Sequence, residues 1–326
     1  MVLGMRPGDL CWTSPNTFCA TADAALRCGA NVDFIDIEWG SYNMDLGLLE
    51  ERLRQAARKN RLPKVVAPVH FAGNPVDMEF LDKLRSRYGF SVVEDAAHAT
   101  GAELRGERVG SCKWSDLCVF SFHAVKIITT GEGGMITTNS AALYERLCHL
   151  RTHGISRELG YRKKQRKMPW NYEKMELGNH YRMTDIQATL GRSQLEKIKA
   201  FHRQREKIAT TYLKGLKQLP LDLPQITPGA RSSWHLFPVC IQGGTSTRDR
   251  IITNLRQAGI QANLHYFPVP HFRFYEERKL RSCLPCPVAS KFATREISLP
   301  IFPGLKSSEQ YKVVQEIGKW VNSKKV

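Results

Sequence analysis

Lys126 lies between two apolar runs, Leu117 to Phe120 and Met135 to Thr138, in the stretch from Asp116 to Asn139. Ser121, Phe122 and His123 precede it, and Thr129-Thr130-Gly131-Glu132-Gly133-Gly134 follows. The spacing predicts strand, sharp turn, strand, with one amine held at the turn. An amine among apolar and small residues is partly desolvated, which favours its neutral form. A neutral amine can attack a carbonyl or a cofactor aldehyde to give a Schiff base. Lysines at strand ends are more often solvated surface groups, so this stretch needs a second one beside it.

Phe90-Ser91-Val92-Val93-Glu94-Asp95-Ala96-Ala97-His98 reads as a buried strand ending in an acid. Ligands of open α/β sheets collect beyond the carboxyl ends of strands, which puts Asp95 at such a place with His98 one turn on. A carboxylate beside a Schiff-base lysine suits pyridoxal phosphate (PLP). The acid keeps a proton on the pyridine nitrogen, and the charged ring accepts electrons from the substrate carbon. His70 and His123 are further candidates by position. Either could equally be a hydrogen-bonded structural histidine, the reading preferred for His70. Gly131-Glu132-Gly133-Gly134 lacks the Gly-Lys-Ser/Thr of a nucleotide P-loop and reads as a turn needing positive φ.

The elements that must hold these groups alternate. Cys11 to Ser14 and Val32 to Ile37 read as strands on either side of an alanine-rich helix, Cys19 to Arg27. A helix from Asp45 to Lys59 carries Leu46, Leu49, Leu53 and Ala56 at helical spacing. Val65 to Val69 is a strand, and Asp77 caps a helix to Tyr88 with Phe80, Leu81 and Leu84 inward, stopped by Gly89. This βαβα order predicts an α/β fold, a mostly parallel sheet with helices on both faces. Ala141 to Arg151 is a helix, and residues 152 to 176 are irregular and basic. A long helix is expected from Leu177-Gly178-Asn179-His180-Tyr181-Arg182-Met183 to about Leu213. Trp234 to Ile241 and Ile260 to Tyr266 read as strands. Between them a helix starts at a capping-box variant, Ser246-Thr247-Arg248-Asp249, and Gly259 stops it. Ser307-x-x-Gln310 caps a last helix with Tyr311, Val314, Ile317 and Val321 inward. The expected division is a large domain over 1–205 and a small domain over 206–326.

The 326 residues, 42% of them hydrophobic, suffice for a large core. No apolar run reaches the ~18 residues of a membrane span, and the N-terminus has no signal-peptide pattern. The 9 cysteines show no framework spacing, which reads as a reducing cytoplasm without disulfides. Cys283-Leu284-Pro285-Cys286 has metal-like spacing without a second pair and reads as a Pro-rich loop with incidental thiols; no metal is expected. Lys and Arg number 48 against 31 Asp and Glu, for a net charge of +17. A basic surface attracts anionic substrates and polyanions. The densest cluster, Tyr161 to Lys167, is a solvated loop, a contact for a nucleotide diphosphate, or a contact for nucleic acid. No nucleic-acid-binding motif accompanies it.

EDAAHATGA, FSFHAVK, TTGEGGM and LGNHYRMTDIQATLG, in this order, resemble the DegT/StrS family of nucleotide-sugar aminotransferases. The likeness runs from about Gly8 to Gly304. The SFHAVK form is similar to the branch acting on UDP-linked 4-keto sugars, including the pseudaminic acid 4-aminotransferase and the 4-amino-arabinose enzyme. The resemblance implies a fold-type I PLP-dependent transferase with a small α+β C-terminal domain. It implies glutamate as amino donor, a UDP-4-keto-6-deoxy-hexose as acceptor with a UDP-4-keto-pentose as the alternative, and a homodimer with shared sites. It assigns Lys126 and Asp95 to catalysis. It places Phe18 on the PLP ring face, His98 at the ring or its phenolic oxygen, and Ser121 at the phosphate. His180 stands where the family has an asparagine reaching the partner's phosphate. His123, Arg182 and His265, the last in His265-Tyr266-x-Pro268, are implied substrate contacts.

Family members are expected to carry about seventy residues ahead of this chain's first residue, with a Gly-Thr helix start whose N–H groups bind the phosphate. A chain without that segment could instead be a non-catalytic PLP-fold remnant or sensor. A third reading, a nucleic-acid binder, rests on charge alone.

Overall fold

The computed structural model describes residues 1–156, 170–277 and 285–322. The basic run at 161–167, and Cys283 with Leu284, lie outside the described residues. A six-stranded sheet forms the larger unit. Its strands are β1 (Leu10–Thr13), β2 (Asn31–Phe34), β3 (Val65–Ala67), β4 (Ser91–Asp95), β5 (Leu117–Ser121) and β6 (Gly134–Thr137). Their order is β2-β1-β3-β4-β5-β6. All pairs are parallel except β5 with β6, which is the hairpin around Lys126. The expected α/β architecture is therefore present.

Helices α1 (Ala20–Arg27), α2 (Leu46–Arg58) and α3 (Met78–Tyr88) return the chain between these strands. Asp45 and Asp77 accept the Leu48 and Phe80 N–H groups and so start α2 and α3. Gly89 closes α3 in the left-handed conformation. Leu49 and Leu53 of α2, and Leu81 and Leu84 of α3, pack on Trp12, Val66 and Val92 of the sheet. Helix α4 (Ala141–Arg151) follows β6, capped by Ser140.

The second unit is a three-stranded antiparallel sheet of β7 (Leu221–Asp222), β8 (Phe237–Ile241) and β9 (Glu296–Leu299). Helix α5 (Asp185–Glu196) leads through Lys197 into α6 (Ile198–Gly215); α7 (Thr245–Gln257) and α8 (Ser307–Asn322) complete the layer. Tyr212, Phe237, Ile251, Ile297, Val313 and Ile317 form its core. Phe34, Tyr42, Phe71, Cys240 and Phe292 make a further core that joins the two sheets.

Several boundaries differ from the sequence reading. The long helix does not open at Leu177: it starts at Asp185, where Thr184 and Gln187 form a reciprocal capping box. It also breaks at Lys197 into α5 and α6. Ser246 to Asp249 is not a capping box, because α7 begins one residue earlier behind Gly244 with no side-chain cap. Ser307 lies inside α8, and the Lys306 N–H is taken by Glu309. Tyr311 faces outward, and Gln310, Val313 and Ile317 are the buried face. Ile260 to Tyr266 is no strand; it touches β9 through a single bridge, Asn263 to Ser298, and its His265–Tyr266 peptide is cis. In the turn after Lys126 only Gly131 has positive φ (77°). Gly134 is needed for space: an added Cβ would lie 2.7 Å from the Phe120 carbonyl oxygen.

Arg205 ties α6 to the rest. Its buried guanidinium donates to the carbonyls of Trp234 and Ile301, each at 2.9 Å. Burial lowers its pKa to about 10. Removing it orphans two buried acceptors, each worth roughly 1–3 kcal/mol. Arg205→Leu is therefore expected to lose about 3 kcal/mol of stability, read as a lower urea midpoint; an unchanged midpoint would show that water replaces these bonds without cost.

Candidate active site

Lys126, Asp95, His98, Ser121, Phe18, His123 and His265 all border one cavity of about 700 Å³. Its polar end lies beyond the carboxyl ends of β4 and β5, where a parallel sheet opens a crevice.

The strand pattern aims the acid. Side chains alternate along β4, so Glu94 and Asp95 face opposite ways. Glu94 is buried, accepts from the Ser115 hydroxyl, and holds His70 Nε2 at 2.8 Å. His70 Nδ1 accepts the Val76 N–H at 3.1 Å, so Nε2 is its donor. His70 is thus a structural histidine, as preferred from sequence. Asp95 turns to the cavity. Its Oδ2 accepts from the Thr21 hydroxyl at 2.5 Å, and its Oδ1 accepts the Ala97 N–H at 3.0 Å. Both oxygens are thus pinned, one by a hydroxyl from α1 and one by the backbone just after β4.

The β5–β6 connection sets the amine. The Phe122 N–H donates to the Gly133 carbonyl, the Thr130 N–H to Phe122, and the Lys126 N–H to His123. Phe122, Ile127 and Ile128 are buried beneath, so Lys126 emerges from an apolar base. Its pKa is lowered by burial, and Asp95 opposes that by attraction. Desolvation wins, and the amine is shifted toward its neutral, nucleophilic form.

Around this pair lie buried, neutral imidazoles, of which His98 and His265 border the cavity and His235 packs behind His98. His98 shares a 3.0 Å hydrogen bond with the Tyr266 hydroxyl, and its ring lies 4.5 Å from that of His235. Burial holds the pKa values of His98 and His235 well below the usual imidazole range. Burial and the nearby Lys126 lower that of His265 to about 4. Among the described residues, His98 Nδ1 and His235 Nδ1 are buried without a partner. Ser121 Oγ accepts the His123 N–H at 3.3 Å. His123 is exposed, with Glu132 3.7 Å away. Phe18 is 62% exposed at the rim, an aromatic face offered to whatever enters.

Two predicted residues are elsewhere. His180 and Arg182 do not border the cavity of their own chain. His180 bridges to Thr152 and packs edge-on against His153, and the Arg182 guanidinium donates to its Nε2 at 2.7 Å. Conversely, Thr21, His235 and Glu296 were not singled out, and Tyr266 entered only as the neighbour of His265. Thr21, in the first turn of α1, stands four residues after Thr17, which precedes the helix, and the two hydroxyls meet at 3.0 Å. Glu296 gave a weaker signal, an acid inside an apolar strand.

The residues present fit a PLP-type cofactor. A half-buried amine with lowered pKa and an anchored carboxylate border one cavity, with a hydroxyl donor and orphaned imidazole nitrogens nearby. No helix among the described residues is long and apolar enough to cross a membrane.

Comparison with known proteins agrees. The DegT/DnrJ/EryC1/StrS aminotransferase family matches residues 1–318. A UDP-4-amino-4,6-dideoxy-N-acetyl-beta-L-altrosamine transaminase of Campylobacter jejuni is 36% identical over 290 residues, 88% of this chain and 73% of that one. Helicobacter pylori PseC, an aminotransferase involved in the biosynthesis of pseudoaminic acid, superposes with a TM-score of 0.86 at 30% identity, covering 99% of this chain and 84% of that one. A Streptococcus pneumoniae protein solved in its PMP form gives a TM-score of 0.86 at 28% identity, covering 98% and 83%.

Because Asp95 stabilises the ammonium form, Asp95→Asn is expected to lower the Lys126 pKa further. Competitive acylation with a limiting reagent should label Lys126 at lower pH than surface lysines do. The midpoint of labelling should fall again in the variant; a rise would mean that Asp95 does not act on this amine.

Proposed function

The chain belongs to the DegT/DnrJ/EryC1/StrS aminotransferase family, and we propose that it transfers an amino group from glutamate to C4 of a UDP-linked 4-keto-6-deoxy-hexose. It is a PLP-dependent sugar aminotransferase. What supports the hexose is the C. jejuni relative, a transaminase named for a UDP-4-amino-4,6-dideoxy sugar, and the likeness to H. pylori PseC. The observation that carries the reading is the pairing of a desolvated Lys126 with a fixed Asp95 around one cavity.

PLP, when bound, supplies an electron-withdrawing ring that makes the carbon next to the transferred nitrogen acidic. Lys126 would hold the cofactor and, once released from it, move the proton at the substrate carbon. Asp95, locked by Thr21, would keep the ring nitrogen protonated. Ser121 would donate to the phosphate and Phe18 would cover one ring face. His98, neutral and hydrogen-bonded to Tyr266, would sit at the ring edge. His123 and His265 would face the sugar nucleotide. His180 and Arg182 would act across a homodimer, His180 reaching the partner's phosphate.

Borohydride reduction of the protein with PLP is expected to fix one pyridoxyl group on the peptide containing Lys126. Lys126→Ala should carry none and should lose at least about 10³-fold in the conversion of glutamate to 2-oxoglutarate. An adduct that persists in that variant, or a glutamate reaction indifferent to it, overturns the assignment.

A further inference from the structure

Glu296 is fully buried on β9, and its two carboxylate oxygens do different things. Oε2 accepts the backbone N–H of His265 at 2.8 Å. Oε1 accepts from the Ser298 hydroxyl at 2.5 Å. Ser298 Oγ in turn lies 2.8 Å from His265 Nδ1. The His265 ring borders the cavity, and Ser298 occupies Nδ1, so Nε2 is the ring nitrogen left for a ligand. We infer that Glu296 is a positioning residue that, through Ser298, sets which nitrogen of His265 carries the proton.

The logic is one of donors and acceptors. A hydroxyl has a single proton to give. An ionised Glu296 only accepts, so Ser298 spends its proton there and must accept from His265 Nδ1–H. Nε2 is then a bare acceptor. A neutral Glu296 still takes the His265 N–H on one oxygen, so its own O–H faces Ser298. Ser298 is then free to donate to Nδ1, and the ring proton sits on Nε2. The ring holds one proton in both forms, and the carboxyl group alone loses one to solvent.

The surroundings allow both states. Burial raises the Glu296 pKa to about 8, and the hydrogen bonds from Ser298 and the His265 N–H, then Arg248 of α7, oppose this. The other titratable neighbours, Cys240 of β8, Tyr42 and Tyr266, are kept neutral by burial. His265 itself stays neutral, because burial and Lys126 lower its pKa to about 4. A neutral ring with a movable proton can present either a donor or a lone pair to a sugar hydroxyl or carbonyl. That last step rests on the aminotransferase reading; the relay does not.

Glu296→Gln makes a sharp test. Its amide oxygen must accept the His265 N–H, so its NH₂ faces Ser298 and mimics neutral glutamate. Long-range ¹H–¹⁵N spectra of the full chain labelled at histidine, assigned with His265→Asn, separate the two tautomers. Wild type is expected to show Nε2–H at about pH 6 and Nδ1–H at about pH 10. The glutamine variant should show Nε2–H at both. Ser298→Ala should lose the pH response, which keeps the test open if Glu296→Gln does not fold. One tautomer in wild type at both pH values, or a glutamine variant that follows wild type, overturns the inference. An intact switch without a glutamate reaction would sink the aminotransferase reading alone.

Discussion

The site depends on a contest at Lys126 between desolvation and the attraction of Asp95. Were attraction stronger, the amine would be a spectator cation. Were the acid absent, nothing would anchor a protonated ring nitrogen opposite it. The structure sets the balance by burying the base of the lysine over Phe122, Ile127 and Ile128. It also commits both oxygens of Asp95 to Thr21 and Ala97, so the acid is fixed from its own side of the cavity.

That division comes from the pleat. Glu94 and Asp95 are adjacent acids on one strand, yet their carboxylates have no partner in common. The strand hands Glu94 to His70 and Ser115 inside the protein and Asp95 to the cavity. The register is secured on both flanks, by Asp95 N–H to the Pro68 carbonyl, His70 N–H to the Asp95 carbonyl, and Ala96 N–H to the Val119 carbonyl. A slip of one residue would exchange the two acids and leave a buried aspartate against His70.

What could be read in the sequence is what short-range physics decides. The hairpin around Lys126, the cap at Asp77 and the strand ending in Asp95 are local patterns, and each is present. Ile260 to Tyr266 misled because an apolar run does not reveal whether a partner edge is available, and there only Asn263 finds one. On helix α8, Val314, Ile317 and Val321 pack inward as expected, and Tyr311 alone of the expected four faces water while Val313 takes a place in the core. Glu296 was illegible for a stronger reason. Its meaning lies in Ser298 and in His265, thirty-one residues away, and no spacing rule predicts that meeting.

The charge of the cavity differs from the charge of the chain. The net charge of +17 predicts attraction of anions to the surface. Yet Lys126 is the only lysine on the cavity wall among the described residues, no arginine is there, and its cation is the form burial disfavours. The imidazoles of His98 and His265 on that wall are held neutral by the same burial. Away from the Asp95 carboxylate, an anionic group inside therefore meets hydroxyls, backbone N–H groups and neutral rings in place of fixed cations. Such donors cost little to bury when their bonds are satisfied, and they discriminate by direction. Long-range attraction of anions therefore comes from the basic exterior, while the groups inside the cavity act by direction rather than by a surplus of cations.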